Sequence, residues 1–257
     1  MERQTAFSKH FMALRKQLII ALITIGILFV VFAYFSQGLY HQLALPLLQN
    51  LPHNGHMIAT SIITPILTPL KFAFYLALFT GLPIVAIQVL YFIRPGLKTL
   101  EKQLATHATL SAIILFYLGL AFAYFCVFPI AFYIFALATP DHVLLMPDMQ
   151  SYLAFSLKAM FAFGCAFQIP LIITLLIATN ILQANQCREQ RSIVIVLALT
   201  IGMLITPPDV ISQIMIAIPM YILYEVGILV GEFYHKPNLA SKPKYASIQK
   251  RRSKHGN

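Results

Sequence analysis

The chain has 257 residues, of which 59% are hydrophobic and only 10% are charged. That balance excludes a soluble globular domain and places the chain among polytopic membrane proteins. The formal charge of +10 does not point to nucleic acid, because most basic residues lie in loops and tails beside apolar runs, where they set topology and meet anionic lipid heads.

Six apolar runs follow one another, at about 18–35, 72–93, 108–138, 152–181, 192–205 and 210–230. They predict an all-α fold of six transmembrane helices, kinked so as to form a concave groove. The first run is too long for the core of a signal peptide and ends without a small-residue cleavage site. The loop after it, Ser36 to Leu70, carries Pro46, Pro52, Pro65 and Pro69, and its apolar middle (LALPLL) predicts a short helix packed on the outer membrane face. The third and fourth runs hold about 30 residues each, so they must tilt, kink or protrude. Pro83, Pro129, Pro170 and Pro219 each interrupt a run, and each removes one backbone donor.

The fifth run, Ser192 to Ile205, holds only 14 residues. As a helix it rises roughly 21 Å, short of the ~30 Å hydrocarbon core. A tight corner, Thr206, Pro207, Pro208 and Asp209, turns it into a sixth run broken by Ser212, Gln213, Pro219 and Glu225. Such a hairpin is expected to distort or thin the bilayer. Residues 1–233 read as one membrane domain and 234–257 as a basic, disordered cytoplasmic tail.

Sixteen of the 18 Lys and Arg residues fall on one side: in the amino-terminal tail, in the loops after the second and fourth runs, and in the carboxyl tail. Both termini are therefore expected in the cytoplasm. The other two, Lys71 and Lys158, sit at the outer starts of helices and can snorkel outward.

The inner face has four acids, Glu2, Glu101, Glu189 and Glu232. Glu101, among Arg94, Lys98 and Lys102, reads either as a solvated carboxylate balancing its neighbours or as a receptor for a guanidinium, with Phe92 adding apolar or cation–π contact. Gln168, beside Pro170, reads as a helix-to-helix hydrogen-bonding group that reaches the carbonyl freed by the proline, or as a polar spot in a ligand-facing groove. Glu225 reads as snorkelling to the inner headgroups or, with no second membrane carboxylate to partner it, as a proton-linked group, and Asp209 is expected to cap the sixth helix. Thr206, Ser212 and Gln213 read as turn and interhelix bonding residues, or as a polar docking patch. His53 and His56 lack a third ligand, and Cys126, Cys165 and Cys187 form neither a disulfide framework nor a metal pattern. No metal, no cofactor and no catalytic constellation is expected.

Several motifs stand in order: HFMALRKQL, MIATS, TPLK, QVLYFIRPGL with Glu101, LGLAFAYFCVFP, GMLITPPDVISQ and AIPMYILYEVG. With these, the chain resembles TatC, the multispanning receptor core of the twin-arginine protein translocase. The resemblance runs from Lys9 to about Phe233. It implies an inner-membrane protein of bacteria that recognises Arg-Arg signal peptides of folded precursors at its cytoplasmic face, through positions matching Leu14, Arg15, Phe92 and Glu101. It implies single-span TatA- and TatB-type partners docked near Met203, Thr206 and Gln213, a multi-copy complex, and transport drawing on the proton-motive force. Two positions depart from the family pattern. The acid usual in the early motif is Ala13 here, and a membrane-buried Glu of many relatives is Gln168.

The rival readings are a proton- or ion-coupled permease and an intramembrane enzyme. A permease calls for repeat symmetry and several intramembrane ionisable groups, and an enzyme for convergent catalytic groups. The sequence displays neither.

Overall fold

The computed structural model describes residues 2–50, 56–96, 98–137, 139, 146–179, 181–205 and 210–240, with side chains at 2–14, 95, 100, 101, 211, 212 and 234–240 outside the description. Among these residues every regular element is helical. Helices α1 (Glu2–Tyr34) and α2 (Ser36–Leu48) meet at a turn on Phe35. Then come α3 (Thr64–Ile93), α4 (Thr99–Phe122), α5 (Phe128–Leu137), α6 (Met149–Ala166), α7 (Ile169–Ala178), α8 (Ala184–Glu189), α9 (Arg191–Ile205) and α10 (Val210–Ala240). The segments Arg15–Tyr34, Thr64–Ile93, Lys102–Leu137, Met149–Ala178 and Gln213–Phe233 are each long and apolar enough to cross a membrane, whereas α9 is shorter. Helix α10 runs on through Ala240, past the boundary expected at 233; residues 241–257 lie outside the described residues. Below, the inner end of the bundle is the one carrying Arg15, Arg94 and Arg191.

Four of the prolines are accommodated in different ways, and Pro83 and Pro219 leave α3 and α10 continuous. Pro129 cannot donate to the carbonyl four residues back. The chain takes one wider π turn just before it, over Ala123–Val127, and Phe128 N closes onto the Ala123 carbonyl. The third run thus continues unbroken from α4 into α5. Pro46 strips the Gln42 carbonyl of its helical donor, and Tyr124 Oη supplies one at 2.6 Å. Pro83 does the same to the Phe79 carbonyl, and Tyr117 Oη replaces the lost N–H at 3.2 Å. Pro170 stands at the second position of α7, where no intrahelical donor is required.

A cap covers the outer end. Helix α2, the expected outer-face helix, packs on α3 and α5 and buries Tyr40, Leu43 and Leu47. Tyr40 Oη donates to the Met149 carbonyl at 3.1 Å, and Tyr152 Oη donates to that of Leu43. Ile58 pairs with the start of α6, its N–H bonding Pro147 O and its carbonyl accepting from Met149 N, both at 3.0 Å. Asp148 caps α6 through the Ser151 amide at 3.0 Å and accepts from Thr60 Oγ1 at 3.0 Å. The Ser151 amide, helped by the Thr60 and Ser151 hydroxyls, holds the Asp148 carboxyl below its ordinary 3.8.

Phe79, Phe128, Phe132, Tyr152, Phe163 and Ile216 belong to one buried cluster joining most of the helices. Close approach depends on glycine. A Cβ on Gly119 would lie 2.5 Å from the Phe163 carbonyl oxygen, and one on Gly227 would lie 2.8 Å from Pro170 Cα. Hydrocarbon offers no hydrophobic drive to associate helices, so such tight backbone contact carries the packing. Large apolar side chains such as Leu22 and Ile27 stay exposed on the outside of the bundle, as a surface solvated by lipid requires.

Candidate functional site

Two ends of the molecule carry its polar chemistry. At the inner end, α1 and α3 run antiparallel in a fixed register. The rings of Phe29 and Phe74 meet at 5.7 Å, and a Cβ on Gly81 would touch Ile25 at 2.8 Å. Ten residues inward from Ile25 and from Gly81, this register puts residue 15 of α1 beside residue 91 of α3. Arg15, exposed, and Phe92, half-buried, therefore share one end. Leu14 lies in the same turn of α1, with its side chain outside the described residues. A tight turn over Arg94–Gly96 leads to α4, whose first turn contains Glu101. The α3–α4 register, set by Phe79 against Phe116 at 6.1 Å, brings position 101 back to the level of Arg94. The Glu101 side chain is itself outside the described residues.

The other acids of this end are treated differently. Glu232 is paired with Arg188 at 2.8 Å. Glu189 is exposed on α8. Glu225 does not snorkel alone. Arg191 grips it with Nε at 2.7 Å and with a second guanidinium nitrogen at 2.8 Å, and Tyr221 Oη donates to it at 2.9 Å. The sequence does contain the signal for this pair: folding the chain about the Pro207–Pro208 corner puts position 191 opposite 224–225.

At the hairpin, Gln213 Nε2 donates to the Leu199 carbonyl at 2.8 Å, so it ties α10 to α9. Gly202 permits the approach, since a Cβ there would stand 3.0 Å from the Gln213 carbonyl. Met203, the next residue of α9, is 55% exposed. Thr206, Pro207, Pro208 and Asp209 lie outside the described residues.

Gln168 sits in the turn between α6 and α7. Its backbone N–H bonds Cys165 O at 3.0 Å, which leaves Gly164 O without its helical donor. The Gln168 side-chain amide reaches that oxygen at 3.4 Å and the Ala112 carbonyl of α4 at 3.0 Å. The carbonyl it serves is thus Gly164's, not the one freed by Pro170. The same residue lines an apolar groove with Leu82, Pro83, Ala112, Phe116 and Tyr117. Among the described residues no cluster of His, Cys, Asp or Glu is suited to a metal ion; His53 falls outside them.

A bundle of long apolar helices, broken at prolines and polar mainly at its ends, defines a multi-pass membrane protein. Residues 9–219 match the family model of the Sec-independent protein translocase protein (TatC), and the chain belongs to that family. It is 43% identical over 225 residues to the TatC protein of Haemophilus influenzae, covering 88% of each chain. It is 40% identical over 225 residues to that of Escherichia coli strain K12, covering 88% of this chain and 87% of the relative. The fold superposes on a crystal structure of the twin-arginine translocase receptor TatC with a TM-score of 0.74 and 32% identity, covering 88% of this chain and 99% of that one. The chain is accordingly a protein-translocase subunit of the bacterial inner membrane, of a family that transports proteins rather than one of enzymes, and the small-molecule permease reading is set aside.

Proposed function

We propose that this chain is the signal-peptide receptor of a twin-arginine export complex, crossing the membrane six times with both termini in the cytoplasm. Arg15, Phe92 and the turn bearing Glu101 share the inner end, and this convergence carries the reading. Leu14, Arg15, Phe92 and Glu101 receive the Arg-Arg motif of a folded precursor. Glu101 provides the carboxylate, because Glu232 is already engaged by Arg188, the early motif has Ala13 in place of an acid, and Glu189 lies on α8, which packs with α9 and α10. Met203, Thr206 and Gln213 form the docking side for TatA- and TatB-type single-span subunits in a multi-copy assembly. Pro207, Pro208 and Asp209 make the corner that keeps α9 short and thins the bilayer beside it, the basic inner loops rest on anionic lipid, and 234–257 extends from the membrane domain. The proton-motive force drives transport. Gln168, an amide, takes no part in moving protons and faces the groove as a hydrogen-bonding group.

The test is photo-crosslinking of a twin-arginine precursor to probes at Leu14 and Phe92 in membrane vesicles. A charge-assisted pair is worth about 1.5–3 kcal/mol, or one to two decades of affinity. Glu101→Ala is expected to abolish most cross-linking, and Ala13→Glu to strengthen it. Normal binding by Glu101→Ala overturns the assignment.

A further inference from the structure

Lys71 and Lys158 are both exposed, and neither forms an ion pair among the described residues. They lie on different helices, yet the α3–α4 and α4–α6 pairings put them at one height, and the α1–α3 pairing adds the end of α1. On α3, Phe79 packs against Phe116 and accepts from Tyr117. Eight residues outward from Phe79 is Lys71, and the same step along antiparallel α4 reaches Tyr124 and Phe125. On α6, Phe163 backs onto Gly119 and Phe155 meets the ring of Phe128 at 6.1 Å. Lys158 lies between these two contacts, again opposite Phe125. On α1, Phe29 against Phe74 brings Lys71 level with the last turn, where the helix ends at Tyr34. Tyr34 and Phe125, 85% and 72% exposed, are aromatic rings at that same height.

We infer that Lys71 and Lys158 bind the phosphates of phospholipids in the leaflet away from the chain termini, in a plane that also passes through Tyr34 and Phe125. Naming that leaflet the outer one rests on the orientation proposed above; the plane itself does not. From Lys71 to Arg94, α3 rises roughly 34 Å, which is the hydrocarbon thickness plus a few ångströms to the phosphates on each side. The basic ends of α3 therefore bracket one bilayer. Tyrosine and lysine, each with an apolar body and a polar tip, settle at this interface. The consequence is that α5, the first turns of α3 and α6, and α2 stand above the hydrocarbon. The long third and fourth runs therefore protrude past that plane. A plane drawn instead at the outer end of α6 would sink Lys158 by about 13 Å, with an exposed ammonium in hydrocarbon.

The chain contains no tryptophan, so single tryptophans report depth without background. The full-length protein is reconstituted in phosphatidylcholine–phosphatidylglycerol vesicles with acyl chains brominated at shallow or deep positions. Tyr75→Trp and Phe161→Trp are expected to be quenched, and Tyr133→Trp on α5 to be spared. Quenching of Tyr133→Trp as strong as that of Tyr75→Trp overturns the plane. The phosphate contact is read by native mass spectrometry of phosphatidylglycerol retained on the purified chain. Lys71→Gln and Lys158→Gln are each expected to lower retention about fivefold, while the Arg variants keep it. Unchanged retention in the folded Gln variants overturns the contact. Quenching depth is blind to which side is cytoplasmic, so a failure of the orientation and a failure of the plane are separable.

Discussion

Arg191 holds Glu225 through two parallel hydrogen bonds, at 2.7 and 2.8 Å, and so ties the inner start of α9 to α10. Gln213 ties the other end of the same pair of helices through the Leu199 carbonyl. The hairpin is thus fixed at both ends. Replacing Glu225 with Leu leaves the guanidinium and the Tyr221 hydroxyl without their shared acceptor. It is expected to lower the thermal midpoint in detergent by a few degrees, and Glu225→Gln by less. Arg191→Lys gives up the fork and is expected to fall between the two. Fluorescence-detected thermal unfolding checks the order.

A second expectation concerns the proline repairs. Tyr124→Phe removes the donor to the Gln42 carbonyl, an exposed contact, and is expected to cost about 0.5–1.5 kcal/mol. Pro46→Ala restores the helical N–H to that carbonyl. The double variant should therefore recover most of what Tyr124→Phe loses, and additive losses in a denaturation cycle refute the repair.

Glycine contacts supply a third. Gly119→Ala forces a methyl group to within 2.5 Å of the Phe163 carbonyl, whereas a Cβ at Gly26 meets nothing within 4 Å. Overpacking of this kind costs about 1–3 kcal/mol. Gly119→Ala is expected to destabilise the fold and Gly26→Ala to leave it unchanged, as read by denaturant midpoint.

Asp148 gives a pH dependence. Its folded carboxyl lies below the ordinary 3.8, so its contribution is complete above that value and is lost as pH falls through the lower folded one. The cap should loosen in acid, and hydrogen exchange at the start of α6 should rise below about pH 4. In Asp148→Asn that acid step should vanish. Asp148→Ala removes the cap altogether and is expected to cost about 1 kcal/mol at neutral pH.

The order of the helices was legible because lipid demands long apolar runs, and because proline and the basic residues punctuate them. α2 was legible from a short apolar stretch set between prolines. What the third run does was not: tilt, kink and protrusion satisfy the same 30 residues, and the choice depends on α2 and α6 standing beside α5. The π turn was hidden because a proline predicts a lost donor but not how the backbone absorbs it. The partner of Glu225 was hidden because a lone carboxylate near a helix end suits lipid headgroups equally well, and Arg191 meets it only once α9 folds back on α10. At the inner end, the level of Arg15 and Phe92 follows from the register of α1 on α3, which motif order alone does not supply.

The tyrosines that fasten the cap point at main-chain oxygens. Tyr124 and Tyr152 grip carbonyls of Gln42 and Leu43, and Tyr40 grips that of Met149. Every residue type offers that same carbonyl acceptor. Neutral drift can therefore rewrite exposed position 42 without erasing its attachment, whereas Leu43 and Met149 are also held by their packing in the core. Across descendants of this sequence, the cap can change its exposed face while keeping its attachments.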